Sequence, residues 1–364
     1  MGKRFGKLWL CLAGVLAMGA VSAQMRGDAP AVLGDTADVR DLDTVVVTGV
    51  QPGPGLWRAR NAQGHTLYIL GTQSPLPAGM RWQADEVRDV LSRAGAVLDP
   101  PGMRVDADVG MFGKLALAPS AFRAMRNPDG ATLDELLPPD LYTRWAALKQ
   151  RYVGRDRGME RKRPVIAVYQ LYRAALEKNG LVAGGIVGPV IQEALKARQM
   201  EATPTVLSIT VDDPRSALRT FRRETLKPED LACVRGTLDI IEHDLPRVAA
   251  RANAWAVGDL DALAATADVQ AQVTTCLSAW TAGQTARELG LLDIEAKVDA
   301  AWMSAVDTTM AAHEIVFASV PITALLGADG HLARLRAHGY TVLAPDSFDE
   351  DGDSMSPEQV PPGG

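Results

Sequence analysis

The sequence predicts an α/β fold: a central mixed sheet built from two strand–turn–helix–strand halves, with a large helical insertion between them. Three observations predict it. Short apolar and β-branched runs occur at 66–70, 95–98, 314–320 and 340–343. The first two and the last two each enclose a glycine-bearing turn and a short helical pattern. From about 105 to 315, helical spacing of apolar residues predominates.

The elements follow in order. Thr44-Val45-Val46-Val47-Thr48-Gly49 is a strand signal, and Gln51-Pro52-Gly53-Pro54-Gly55 a turn. Leu56–Arg60 and Thr66–Leu70 pair as a hairpin around Asn61-Ala62-Gln63-Gly64. Ala84–Ala94 is an amphipathic helix with Val87, Val90 and Leu91 on one face. Gly95 ends it, and a strand runs to Asp99. Thr132-Leu133-Asp134-Glu135 starts a helix, with a threonine cap and acids in its first turn. Further helices are expected at 138–151, 165–178 and 188–198, and a strand at 206–211. Helices then fill 214–226, 228–257, 259–289 and 293–312. The closing unit is strand 314–320, a turn with Gly327 and Gly330, helix 331–338 and strand 340–343. This arrangement puts Ser74 and the residues near Ala324 on one rim of the sheet.

The ends differ from the body. Lys3, Arg4 and Lys7 open the chain, Leu8–Val21 is apolar but too short to span a bilayer, and Val21-Ser22-Ala23 has the small-residue cleavage pattern. The expectation is a signal peptide over 1–23, cut after Ala23, and a periplasmic or secreted protein with no membrane anchor after cleavage. The alternative is an uncleaved anchor. Residues 24–42 form a loose arm, 43–345 one domain, and 346–364 an acidic, Pro/Gly-rich disordered tail. Losing Lys3, Arg4 and Lys7 takes the formal charge from −6 to −9. Such a chain is a poor binder of nucleic acid or anionic membrane. Two cysteines remain, Cys233 and Cys276. In an oxidising compartment they predict a disulfide between two helices; the alternative is two buried thiols.

Active sites of open α/β sheets lie where strands end. The Gly71-Thr72-Gln73-Ser74 turn and Asp99 both follow strands. Here the residues carry a resemblance. Tyr68-Ile69-Leu70-Gly71-Thr72, the strand ending at Asp99, and Leu332–Val342 resemble the TraB/GumN family, related to the TIKI metalloproteases. The likeness spans roughly 56–344. In that family the first strand ends in Gly-Thr-x-His and the second in glutamate, while a Gly-x-x-His precedes the closing turn. The resemblance implies a divalent-metal site of two imidazoles and a carboxylate, suited to zinc, manganese or cobalt and able to activate water.

This chain departs from that set. Ser74 stands at the first histidine, Asp99 at the glutamate, Pro321 at the glycine and Ala324 at the second histidine. A mid-chain Glu-Thr…Gln motif falls on Ile209-Thr210 and Pro214, and an Arg-Asn pair on Val298-Asp299. Ligand number and type set metal affinity, so it drops here.

Of five histidines, His331 sits nearest the same rim. It is either a stand-in ligand or a solvated first-turn residue. Ser74 is either a nucleophile served by Asp99 or His331, or a turn residue before Pro75; no Gly-x-Ser-x-Gly elbow surrounds it. Asp41–Gly49 resembles a TonB box, implying strand addition to a TonB-type partner, or is an edge strand. Ser347–Gly352 with Glu358 has near calcium-loop spacing, or is a solvated tail.

The sites to examine are Asp99 and Ser74, with Gly71, Thr72, Ala324 and His331 on the cleft rim. The leading expectation is an exported pseudoenzyme that needs no cofactor and binds a protein, peptide or glycan. The alternative is a metal-dependent hydrolase with unorthodox ligands.

Overall fold

Asn61 reverses the chain. Its Oδ1 accepts the backbone N–H groups of Gln63 at 3.1 Å and His65 at 3.0 Å, and Gly64 follows in the left-handed region at φ 86°. In the computed structural model, which describes residues 49–266 and 271–345, this turn joins β1 (Trp57–Arg60) to β2 (Thr66–Thr72). The two pair antiparallel from Trp57–Ile69 to Arg60–Thr66. The expected signal peptide, the arm, the TonB-like segment up to Thr48 and the tail lie outside the described residues.

After β2, helix α1 (Asp85–Arg93) buries Val87, Val90 and Leu91, as its spacing predicts. It leads into β3 (Ala96–Leu98). Much later come α3 (Ile294–Ala312), β4 (Ile315–Pro321), α4 (His331–Ala337) and β5 (Thr341–Leu343), named in chain order around α2 (Leu245–Val257). The strands form one five-stranded mixed sheet in the order β5-β1-β2-β4-β3. β4 lies parallel to both β2 and β3, with Ile315 opposite Thr66, Pro321 opposite Thr72 and Ala318 opposite Leu98. The two halves are therefore interleaved. β4 of the second inserts between β2 and β3 of the first. β2 and β4 are buried almost throughout, which suits inner strands covered on both faces. The carboxyl ends of β2, β4 and β3 share one edge.

The insertion is largely helical. Thr132 and Glu135 cap Leu133–Leu136 reciprocally, Glu135 Oε2 accepting the Thr132 N–H at 2.8 Å. Four details refine the sequence reading. Met103–Ala107 is a strand, paired in parallel with Leu207–Val211 in a separate two-stranded sheet. Met111–Ala124 is a helix that the sequence left unassigned. The helix expected over 228–257 is interrupted: Pro228–Asp239 passes through a wide turn at Ile240–Asp244 into α2, which has Pro246 in its first turn. The 259–289 segment is likewise divided, with Leu260–Ala265, Ala271–Thr281 and Gln284–Glu288 as its described helices.

One apolar core joins the sheet to the helices, with Trp145, Trp255, Trp302 and Phe317 fully buried. Cys233 and Cys276 are bonded, tying Pro228–Asp239 to Ala271–Thr281. Among the described residues, no helix is long and apolar enough to cross a membrane.

Candidate functional site

The rim is built where three parallel strands stop. Gly71 and Thr72 end β2, and Pro321 ends β4 opposite Thr72. Ala324 follows in the short Ile322–Leu325 helix. Asp99 comes one residue past Leu98, which pairs with Ala318, so it sits level with Ser319. That sets it back from Pro321 by about 7 Å along the strand direction, at 3.3 Å per residue. Gly71, Thr72, Ser74, Asp99, Pro321 and Ala324 therefore lie at or just past the ends of neighbouring strands on one edge of the sheet.

What they present is mostly inert. Gly71 is packed from above: a Cβ there would lie 2.8 Å from Ile322 Cδ1 and 3.1 Å from the Trp57 ring. Ala324 contributes a half-buried methyl to the core. Ser74 is exposed, and its hydroxyl makes no hydrogen bond among the described residues. No base is held against it, so the nucleophile role has no support in the geometry. Asp99 is half-buried. Burial pushes its carboxyl above the ordinary range, with Arg104 opposing. Its backbone is fixed by Thr203, whose carbonyl accepts the Asp99 N–H at 3.0 Å, and by Thr205, whose hydroxyl donates to the Asp99 carbonyl at 2.7 Å.

Beneath the turn lies a group of residues not singled out in the sequence. Gln73 is buried and takes a hydrogen bond from Arg251 Nε at 3.1 Å while its own amide donates to the Ser74 carbonyl at 3.1 Å. Arg251, 2% exposed, also donates to the Leu263 carbonyl at 2.6 Å. Trp255 donates its indole N–H to the Gly71 carbonyl at 2.7 Å. One face of α2 thus holds the β2 turn in place. A signal for it exists: Val248, Arg251, Ala252 and Trp255 follow helical spacing, so Arg251 is a cation on an apolar stripe.

His331 belongs to neither of its expected roles. It opens α4 but is 2% exposed, so it is not a solvated first-turn residue. Its ring packs on Trp302 with centroids 4.4 Å apart, and its Nε2 is 3.6 Å from Asp299 Oδ1. Asp299 is already engaged by Arg334 at 2.8 Å. Burial, with Asp299 opposing and Arg334 assisting, lowers the His331 pKa and holds the ring neutral. His331 Nδ1 and Trp302 Nε1 are buried without a hydrogen-bond partner among the described residues. Elsewhere, His65 Nδ1 contacts the Met310 carbonyl at 2.7 Å, and His338 lies 3.5 Å from Asp307.

A site of two imidazoles and one carboxylate needs three convergent donors. Here a hydroxyl, a methyl and one carboxylate stand in their places. No group of three His, Cys, Asp or Glu side chains able to hold a metal occurs among the described residues. The residues present do not fit the metal that the resemblance implies.

A family model described as the TraB/PrgY/gumN family matches residues 55–344. No curated protein matches the chain, and no solved structure does.

Proposed function

The chain belongs to the TraB/PrgY/gumN family, and on that premise we propose that it is an exported pseudoenzyme that binds a protein, peptide or glycan at its strand-end rim. Residues 1–23 would direct export, with cleavage after Ala23 and a periplasmic or secreted destination. The observation that carries the reading is the donor set at the rim. Ala324 offers no lone pair, Ser74 offers a hydroxyl without a base, and Asp99 is the one carboxylate among the three positions. Binding needs none of the missing groups. It needs a fixed edge, and Gln73, Arg251 and Trp255 supply that by anchoring the β2 turn from below.

One observation favours a second reading, a hydrolase with unorthodox ligands. Asp99 is half-buried with a raised pKa, the condition in which a carboxyl serves as a proton carrier. The test is restoration. The triple variant Ser74→His, Asp99→Glu, Ala324→His is titrated with zinc, manganese and cobalt beside the natural chain. A new site in the variant supports a family scaffold that has lost its ligands. A variant that binds no better than the natural chain counts against this reading of the rim.

A further inference from the structure

Away from the rim, the helical insertion holds a cavity of about 230 Å³ between the segments at 127–136, 163–166, 221–230 and 279–280. Its chemistry is one-sided. The two cations on its wall are turned to backbone carbonyls. Arg163 donates to the carbonyls of Ala124 at 3.0 Å, Glu224 at 3.2 Å and Phe221, while Lys227 Nζ donates to the Ala279 carbonyl at 3.0 Å. Two acceptors on the wall also keep capacity. Asn127 is 6% exposed, and its Nδ2 donates to the Ala131 carbonyl at 2.9 Å. Its Oδ1 is buried with no hydrogen-bond partner among the described residues. Asp230 accepts the Lys227 backbone N–H through Oδ2 at 2.9 Å, which leaves its other oxygen for a ligand. Burial drives the Asp230 pKa upward, so the carboxylate gains from a donor placed beside it.

Apart from Asp129, Thr225 and Glu224, whose carboxylate takes the Thr285 N–H at 2.7 Å and lies 3.7 Å from Lys227 Nζ, the rest of the wall is apolar. Phe221 and Trp280 stack with centroids 6.2 Å apart and planes 8° apart, and the Arg163 guanidinium lies 4.3 Å from the Phe221 ring centre. Trp280 is 42% exposed, so part of the stack is open to solvent. Aromatic surface beside a carboxylate with a free oxygen is the composition of a small-molecule pocket. At about 30 Å³ for each water-sized group, the volume suits roughly eight heavy atoms.

We propose that this cavity is a ligand site, separate from the rim, for a compact molecule with a flat apolar body and a hydrogen-bond-donating head, either an ammonium or a hydroxyl. The body lies against Phe221 and Trp280. The head donates to the Asp230 carboxylate. An acceptor-only anion of the same shape is disfavoured, because Asp129, Glu224 and Asp230 outnumber Arg163 and Lys227 on the wall and would meet it with their own negative charge.

The test is calorimetric titration of the full chain with benzylammonium, benzyl alcohol and benzoate. The expected result is one saturable site for a donor probe and none for benzoate. Tighter binding of benzylammonium than of benzyl alcohol assigns a cation, and comparable binding assigns a neutral donor. Asp230→Asn keeps an oxygen for the Lys227 N–H and should weaken benzylammonium about tenfold, as loss of a hydrogen bond to a charged group does. Trp280→Ala, at a half-exposed position, should weaken both donor probes. Binding of benzoate as tight as that of the donors, binding indifferent to both substitutions, or no binding of either donor probe would overturn the proposal. The rim variant Ser74→His, Asp99→Glu, Ala324→His should leave these titrations unchanged, so the two sites stand or fall separately.

Discussion

His331 shows what burial does to a single residue. Its ring is neutral and buried against Trp302, with Asp299 and Arg334 as the charged groups facing it. The folded-state pKa lies below the ordinary value near 6.5, so below that value the unfolded chain binds the proton more readily. Its contribution to stability is complete above about pH 6.5 and is lost as the pH falls. Urea unfolding should give lower stability at about pH 5.5 than at about pH 7.5. His331→Gln, which removes the titrating group, should reduce that difference. An unchanged pH dependence in the variant would show that other groups set it. At this scale the sequence is only half legible. The identities of Ser74, Asp99 and Ala324 could be read directly, and they already argue against the metal set. The burial of His331 could not be read, because it depends on Trp302, which lies on a helix distant in sequence. Gln73 was passed over for its neighbour Ser74, since a buried glutamine has no signature until its partner Arg251 is located.

At the scale of elements, strong periodicity was readable and irregular structure was not. The hairpin, α1, the capped helix at Leu133 and the closing β4–α4–β5 unit follow from alternation, helical spacing and caps that act locally. Met111–Ala124 falls in the stretch read as mostly helical, but its bounds could not be read, for a physical reason. Met111, Phe112 and Leu115 are 73%, 82% and 72% exposed, so its apolar residues do not mark a core-facing stripe. The break after Asp239 has a visible cause in Pro246, but where the chain relaxes into a wide turn depends on packing. The disulfide belongs to this scale as well. It joins two helices across a sequence separation of 43 residues, and closing a loop of that length removes about 4 kcal/mol of unfolded-state entropy in the chain-entropy model. Paired urea titrations with and without reductant should show a clear fall in the midpoint on reduction. The double variant Cys233→Ala, Cys276→Ala should match the reduced protein. A midpoint insensitive to both treatments would mean that the bridge constrains little.

For the whole molecule, the fold class was legible because the two strand–turn–helix–strand units lie at opposite ends of the domain. Their interleaving was not, since strand order is a long-range property that local pattern does not encode. Interleaving has a functional consequence: it brings the ends of β2, β4 and β3 to one edge, where the family resemblance places metal ligands. The central claim is that this edge keeps the family architecture without its donors, so that the protein acts by binding. Metal affinity of the natural chain tests it most directly, measured by elemental analysis and by titration with zinc, manganese and cobalt, with Asp99→Ala as the control. The account predicts no stoichiometric metal and no affinity that depends on Asp99. One tightly held ion per chain, lost in Asp99→Ala, would contradict it and make a hydrolase assay the next experiment.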